Sequence, residues 1–272
     1  MNKTPPEPIR AFEVDRLRVE VYASHDAMAA AAAARVAAFA RERLAARGRM
    51  AAIFASATSQ IRFLAALAEQ SGPDWSQATI FHMDEYLGLP ADHPASFRRF
   101  MREHLVARLQ PGTFHPLEGD AMEPIDECER YGALLAGQPI DFCCLGIGEN
   151  GHVAFNDPPV ADFNDPRPVN IVRLDEACRR QQVGEGCFPD LNSVPRYALT
   201  LTVPSLMKAE RLFAIVPEQR KAAAVRQALE GPVSTDCPAS ILRRHPAAVL
   251  FLDADSAGEL AVMRENDGDT AS

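Results

Sequence analysis

Short apolar runs and stretches of helical spacing take turns along most of this chain. Residues 17–22, 50–55, 78–83, 140–145, 212–216 and 247–252 are short, mostly apolar runs rich in Val, Ile, Leu, Phe, Ala and Cys, the pattern of buried strands. Residues 168–174 and 197–203 add two more strand candidates. Between them lie an alanine-rich helix at 25–47, with Asp26 near its start and Gly48 just past its end. Further helices are expected at 60–69, 96–109, 126–136, 205–209 and 219–229. Strands that alternate with helices pair in parallel through crossovers. Strands apolar on both faces need helices on both sides of the sheet. The expected architecture is a single α/β domain with a mostly parallel sheet and helices on both faces. Tails at about 1–10 and 265–272 are expected to be flexible. The loop 155–167, rich in Pro, Asn and Asp, is too long for a plain connector and is expected to form a lid or a wall of a binding site.

Composition narrows the function. Of 272 residues, 47% are hydrophobic and 24% charged, and the formal net charge is −9. That balance argues against a general nucleic-acid binder, although a local basic site for an anion remains compatible with it. No apolar run reaches the roughly 20 residues of a membrane span, and the N-terminus does not read as a secretory signal. The six cysteines, Cys128, Cys143, Cys144, Cys178, Cys187 and Cys237, form no Cys-x-x-Cys pair. They are expected to be reduced thiols in a cytoplasmic protein, with no metal and no cofactor.

Three segments bring polar chemistry to strand ends, the edge at which open α/β sheets bind ligands. LGIGENGHVAFNDP, residues 145–158, places Asn150, His152 and Asp157 close together after a strand. A histidine held by an amide and a carboxylate suits proton transfer near neutral pH; a solvated turn is the plain alternative. FHMDEYLGLP, residues 81–90, puts Asp84 and Glu85 directly after a strand. A partly desolvated carboxylate there can serve as a base, or either acid can cap the next element. FASATSQ, residues 54–60, offers Ser56, Ala57, Thr58 and Ser59 at a helix start, where they form a cap or an anion site. Arg180 and Lys221 are later basic positions, and Lys221 opens a helix, where the dipole disfavours it.

These residues carry a resemblance. The segments FHMDEYLGLPADHPASF and LGIGENGHVAFNDP resemble the two signature segments of the glucosamine-6-phosphate deaminase (isomerase) family. SVPRYALTLTVPSLMKAERLF, EQRKAAAVRQALEG and SILRRHP resemble its C-terminal half, so the likeness runs from about residue 51 to 254. The 6-phosphogluconolactonases share the fold and a Gly-His motif but lack the MDEY-x-GLP segment. The resemblance implies a Rossmann-like sheet and metal-free aldose–ketose isomerisation of a small sugar phosphate with loss of ammonia. By position it makes Asp84 the base between C2 and C1 and His152 the ring-opening group, with Asn150 and Asp157 as partners. It makes Ser56–Ser59, Glu85, Arg180 and Lys221 substrate-binding. The family often has Asp where Asn150 stands, Glu where Asp157 stands, and glycines in the phosphate loop where this chain has Ala55, Ala57 and Thr58. The shorter Asp157 is expected to reach His152 through an adjusted backbone or a water. A lactonase, a deaminase of another amino-sugar phosphate, and a non-catalytic sugar-phosphate sensor are the alternatives. The sequence leaves open whether the chain forms a homo-oligomer.

Overall fold

The computed structural model describes residues 4–264. Eleven strands fall in chain order as β1 Arg10–Val14, β2 Leu17–Tyr22, β3 Met50–Phe54, β4 Ala78–His82, β5 Asp84–Tyr86, β6 Thr113–His115, β7 Phe142–Leu145, β8 Val169–Arg173, β9 Tyr197–Leu201, β10 Arg211–Val216 and β11 Ala248–Asp253. Among the described residues they form an eight-stranded sheet, β1-β2-β11-β10-β7-β3-β4-β6, and a three-stranded sheet, β5-β9-β8. The large sheet is parallel apart from β1, which pairs antiparallel with β2 at the edge. The small sheet is antiparallel.

The period of two in the strands sets the layers. In β3, Ala51 and Ile53 pack into one apolar cluster, while Met50, Ala52 and Phe54 pack into another. β10 splits the same way, Leu212, Ala214 and Val216 on one side and Phe213 and Ile215 on the other. Each face therefore has its own core. The helix His25–Arg47 covers the second, and its small Ala29, Ala32, Ala33, Ala37 and Ala40 let it pack close to the strands. Ser24 caps its start and Gly48, at φ 69°, ends it. The helices Pro124–Ala136 and Ala222–Glu230 lie on the opposite side, where Tyr131, Val225 and Leu229 join the first cluster.

The direction of the strand order changes at β3. From β3 the chain steps outward to β4 and β6, then crosses back to β7 on the other side of β3. The loops after β3 and β7 therefore diverge and leave a crevice at the carboxyl edge, the switch point of an open α/β sheet. A second device sits beside it. After β4 the chain bends at Met83 and enters β5 of the small sheet at once.

The expected strands and helices are found with shifts of a few residues, and several elements go beyond them, among them short helices at Pro238–Arg244, Ala254–Ala257 and Ala261–Arg264. β1 begins at Arg10, next to the tail expected to be flexible. β5 and β6 are three residues each. The helix Glu176–Gly184 was not anticipated. The helix expected at 96–109 is present as Phe97–Met101 and Ala107–Leu109 with a π-helical stretch, Arg102–Val106, between them. The short helix expected at 205–209 starts earlier, as Val203–Met207, with Pro204 in its first turn. The tail expected at 265–272 lies outside the described residues.

Candidate active site

A cavity of about 300 Å³ opens in the crevice. The loop after β3, Gly146–Gly148 after β7, Asp84 from β5 and His152 all line it. Its outer wall comes from 94–100 with His104, and from 181–187. Of the long loop 155–167, Phe155 alone reaches the cavity; the rest of that loop does not form the wall expected of it.

Asp84 and Glu85 are neighbours with opposite fates, because successive strand residues point to opposite faces. Asp84 is 6% exposed, and its Oδ1 is buried without a hydrogen-bond partner among the described residues. Burial pushes its carboxyl well above the ordinary value, and the Glu85 carboxylate adds to the shift. Glu85 is fully buried and fully engaged. Its Oε1 accepts from the Tyr86 and Phe97 amides, each at 3.0 Å. Its Oε2 accepts from Ser96 Oγ at 2.8 Å, the Arg98 amide at 2.9 Å and Arg98 Nε at 3.2 Å. Burial raises its carboxyl too, against the pull of these donors. Glu85 was expected among the substrate-binding residues; it instead caps the helix that begins at Phe97 and does not face the cavity.

The histidine loop is held by the small sheet. Thr200, opposite Asp84 in the β5–β9 pair, accepts the Phe155 amide on its hydroxyl at 3.1 Å. Asn156 donates its side-chain amide to Val153 O and Leu201 O, both at 2.9 Å. Ala154 takes φ 49°, an uncommon conformation for a non-glycine residue, and tightens the turn. This bend brings Asp157 Oδ1 within 3.0 Å of His152 Nδ1. The shorter carboxylate therefore reaches the ring directly, and backbone geometry supplies the distance. Asn150 Oδ1 accepts from the His152 amide at 3.1 Å and lies 2.7 Å from Nδ1, while Asn150 Nδ2 donates to Asp157 Oδ1 at 3.0 Å. Two acceptors at Nδ1 assign the proton there and leave Nε2 as the basic nitrogen.

Asp157 is wholly buried and accepts the Asp175 amide on Oδ2 at 3.1 Å. Burial alone would raise its carboxyl; the hydrogen bond and charge of His152 and the amides of Asn150 and Asp175 outweigh it and hold the group below its ordinary value. Gly148 lies flat against the ring, since a Cβ there would stand 2.1 Å from His152 Cε1. The second glycine of the motif is thus a steric requirement of the histidine. His152, Asp157 and Cys178 offer donor atoms within 4.8 Å of one another, a candidate metal set. The Cys178 thiol is pushed well above its ordinary value by burial and by the Asp157 charge. It is a protonated donor toward Asp157, whereas a metal would need the thiolate.

The other end of the cavity holds the hydroxyl loop. Ser56, Ala57, Thr58 and Ser59 all line it, as expected. Ser56 Oγ is buried without a partner among the described residues. Lys221 is 3% exposed and also lines the cavity; burial lowers its ammonium below the ordinary value, and Arg220 adds to that. Gln60 anchors this end by donating to Ile215 O at 3.0 Å. Arg180 is not part of the site. Its side chain is 70% exposed and paired with Glu176 one turn back, on the outer face of the helix Glu176–Gly184. A helix turns about 100° per residue, so the next two side chains, Gln181 and Gln182, face the cavity instead. Sequence reasoning missed these glutamines and Glu185. Asp175, whose side chain caps the helix at Ala177, was the one local sign of them.

With this geometry in view, the comparisons with known proteins carry weight. The family model described as glucosamine-6-phosphate isomerases/6-phosphogluconolactonase matches residues 23–251. A glucosamine-6-phosphate deaminase of Exiguobacterium sibiricum is 37% identical over 188 residues, 69% of this chain and 73% of that protein. One from Bacillus cereus strain B4264 is 38% identical over 183 residues, 67% of this chain and 68% of that protein. Among solved structures, a monomeric glucosamine-6-phosphate deaminase superposes with a TM-score of 0.80 at 28% identity, covering 88% of this chain and 98% of its own. A 6-phosphogluconolactonase from Shewanella baltica shares the fold at TM-score 0.72 and 19% identity, over 89% of this chain and 99% of its own. The chain belongs to the glucosamine-6-phosphate isomerase/6-phosphogluconolactonase family.

Proposed function

We propose that the protein converts glucosamine 6-phosphate to fructose 6-phosphate and ammonia. The observation that carries this reading is the buried carboxyl of Asp84, its Oδ1 without a partner among the described residues, in one cavity with the His152–Asn150–Asp157 cluster. A lactone hydrolysis has no use for a carboxylate base aimed at a carbon-bound proton; an aldose–ketose shift does. His152 Nε2 takes the proton of the C1 hydroxyl and returns it to the ring oxygen, opening the pyranose. Asp157 stabilises the imidazolium that forms in between, and Asn150 orients the ring but cannot accept the proton. Asp84 then removes the C2 proton, the electron pair moves toward the C1 carbonyl oxygen, and that oxygen takes a proton from the C2 ammonium of the substrate to give the neutral enolamine. The same carboxyl group returns the proton to C1. Water adds to the resulting C2 iminium and ammonia leaves, so one water is consumed in each turnover. Desolvation suits Asp84 to this task by raising its affinity for the proton it must carry and release.

Ser56–Ser59 and Lys221 form the end that receives the phosphate, through hydroxyls and a charged donor. The relatives named as glucosamine-6-phosphate deaminases support the choice of substrate. No helix among the described residues is long and apolar enough to cross a membrane. Six unpaired cysteines suit a reducing compartment, and we place the enzyme in the cytoplasm. The test is ammonia release from glucosamine 6-phosphate, followed by a coupled assay for fructose 6-phosphate. Binding of the sugar phosphate with no ammonia formed would make the protein a sensor. Hydrolysis of 6-phosphogluconolactone in its place would make it a lactonase.

A further inference from the structure

We propose that Glu185 sets the phosphate selectivity of this enzyme by holding a carboxylate inside the end of the cavity that receives the phosphate. The proposal rests on the deaminase reading for the identity of that end. Glu185 lines the cavity with a side chain 4% exposed. Thr58, in the hydroxyl loop, donates to its Oε2 at 3.1 Å. Gln181 Nε2 donates to its Oε1 at 2.8 Å, and Arg220 Nη1 meets the same oxygen at 3.1 Å. Gln181 is itself fixed, because its Oε1 accepts the Glu149 amide at 3.0 Å. The carboxylate is therefore built into the wall and takes up the Thr58 hydroxyl that an anion would use.

The charges around it do not favour a dianion. Arg220 is shared among three carboxylates: Glu185, Glu149 at 3.5 Å and Glu218 at 2.6 Å. Lys221 is the other cation at this end among the described residues, and Glu185 acts on it directly, opposing the loss of its proton on burial. Glu185 and Lys221 line this end together, and Arg220 is already matched by its own carboxylates, so no net positive charge awaits a ligand. A buried cation and an unpartnered buried Ser56 hydroxyl mark it as a place for a polar group. Glu185 weakens its hold on a phosphate relative to a hydroxyl, because like charges brought together in a desolvated site repel strongly. The native enzyme thus discriminates less between phosphorylated and unphosphorylated amino sugars than Lys221 alone would make it.

Glu185→Gln tests this, since it removes the charge and keeps an oxygen for Thr58. Binding of inorganic phosphate should tighten roughly tenfold in the variant. The ratio of kcat/KM for glucosamine 6-phosphate over glucosamine should rise by a similar factor. Phosphate binding that is unchanged or weaker in a folded variant overturns the proposal. If the Gln variant does not fold, Glu185→Ser removes the same charge with less bulk, and the same two readouts apply. Phosphate titration needs no turnover. Native protein that makes no ammonia from glucosamine 6-phosphate would sink the deaminase reading, while the titration still judges Glu185.

Discussion

The two ends of the cavity are built by different rules. At the chemical end, Asp84 and the His152–Asn150–Asp157 cluster are fixed by one small sheet. β5 carries Asp84, β9 pins the histidine loop through Thr200 and Leu201, and the Asp175 amide, just beyond β8, holds Asp157. At the end proposed to receive the phosphate, the groups come from separate elements: the loop after β3, the turn Gln219–Lys221 and the helix Glu176–Gly184. They meet through side chains, and charges of both signs are present. A rigid frame suits proton transfer, where sub-ångström placement decides the rate. A mosaic of side chains suits a recognition site, because single exchanges retune it without disturbing the chemistry.

The sharpest way to break this contrast is at Asp84. Asp84→Asn should bind sugar phosphate and lose turnover by about 10²- to 10⁴-fold. Deuterium exchange at C2 that persists in this variant would remove Asp84 from the role. A pH profile adds a check. The base works ionised, so activity should fall as pH drops through a midpoint above the ordinary carboxylate range. Stability has the opposite slope. The folded state binds the Asp84 proton more tightly than the unfolded chain, so stability falls as pH rises through that window. Asp84→Asn should remove this loss and melt at a higher temperature at neutral pH, which thermal denaturation across pH would show.

Next in size is Asp157→Asn. It leaves the imidazolium of ring opening without its counter-charge, and a loss of about 10- to 100-fold on the cyclic substrate is expected. An open-chain analogue should be spared; equal losses on both would place the histidine elsewhere in the cycle. Lys221→Ala reaches across to the other end. It should raise KM for the sugar phosphate by about tenfold, the scale of one charged hydrogen bond, with little change for glucosamine. A change in kcat of the same size would mean that the two ends are not separable. The smallest effect is expected at Arg180. Arg180→Ala removes an exposed surface pair that contributes little, so KM should stay put, and a rise in KM would bring Arg180 into the site after all.

The sequence reads well where its signals are local. Strands such as β3 and β10 are apolar on both faces because helices cover both, so residue type alone marks them. The His152 cluster is legible because its members lie within eight residues of one another and Gly148 makes room for the ring. The helix Glu176–Gly184 escaped for the converse reason. Its inner face meets a cavity rather than a core, so Gln181 and Gln182 stand where an apolar stripe would otherwise signal a helix. β5 escaped because three residues of mixed character show no period.

The alternating pattern, the strand-end motifs and the residue types for proton transfer are properties of the chain alone, since each depends on neighbours a few positions away. Only the folded molecule decided between Asp84 and Glu85, which carry the same charge one residue apart. The pleat sent one toward the cavity and the other onto the amides of a helix start. It also decided between Arg180 and Gln181, separated by a single step of helix rotation. And it brought Glu185 to Thr58 from 127 positions away. Direction, burial and long-range pairing fix these choices, and all three are set by where distant strands and helices pack.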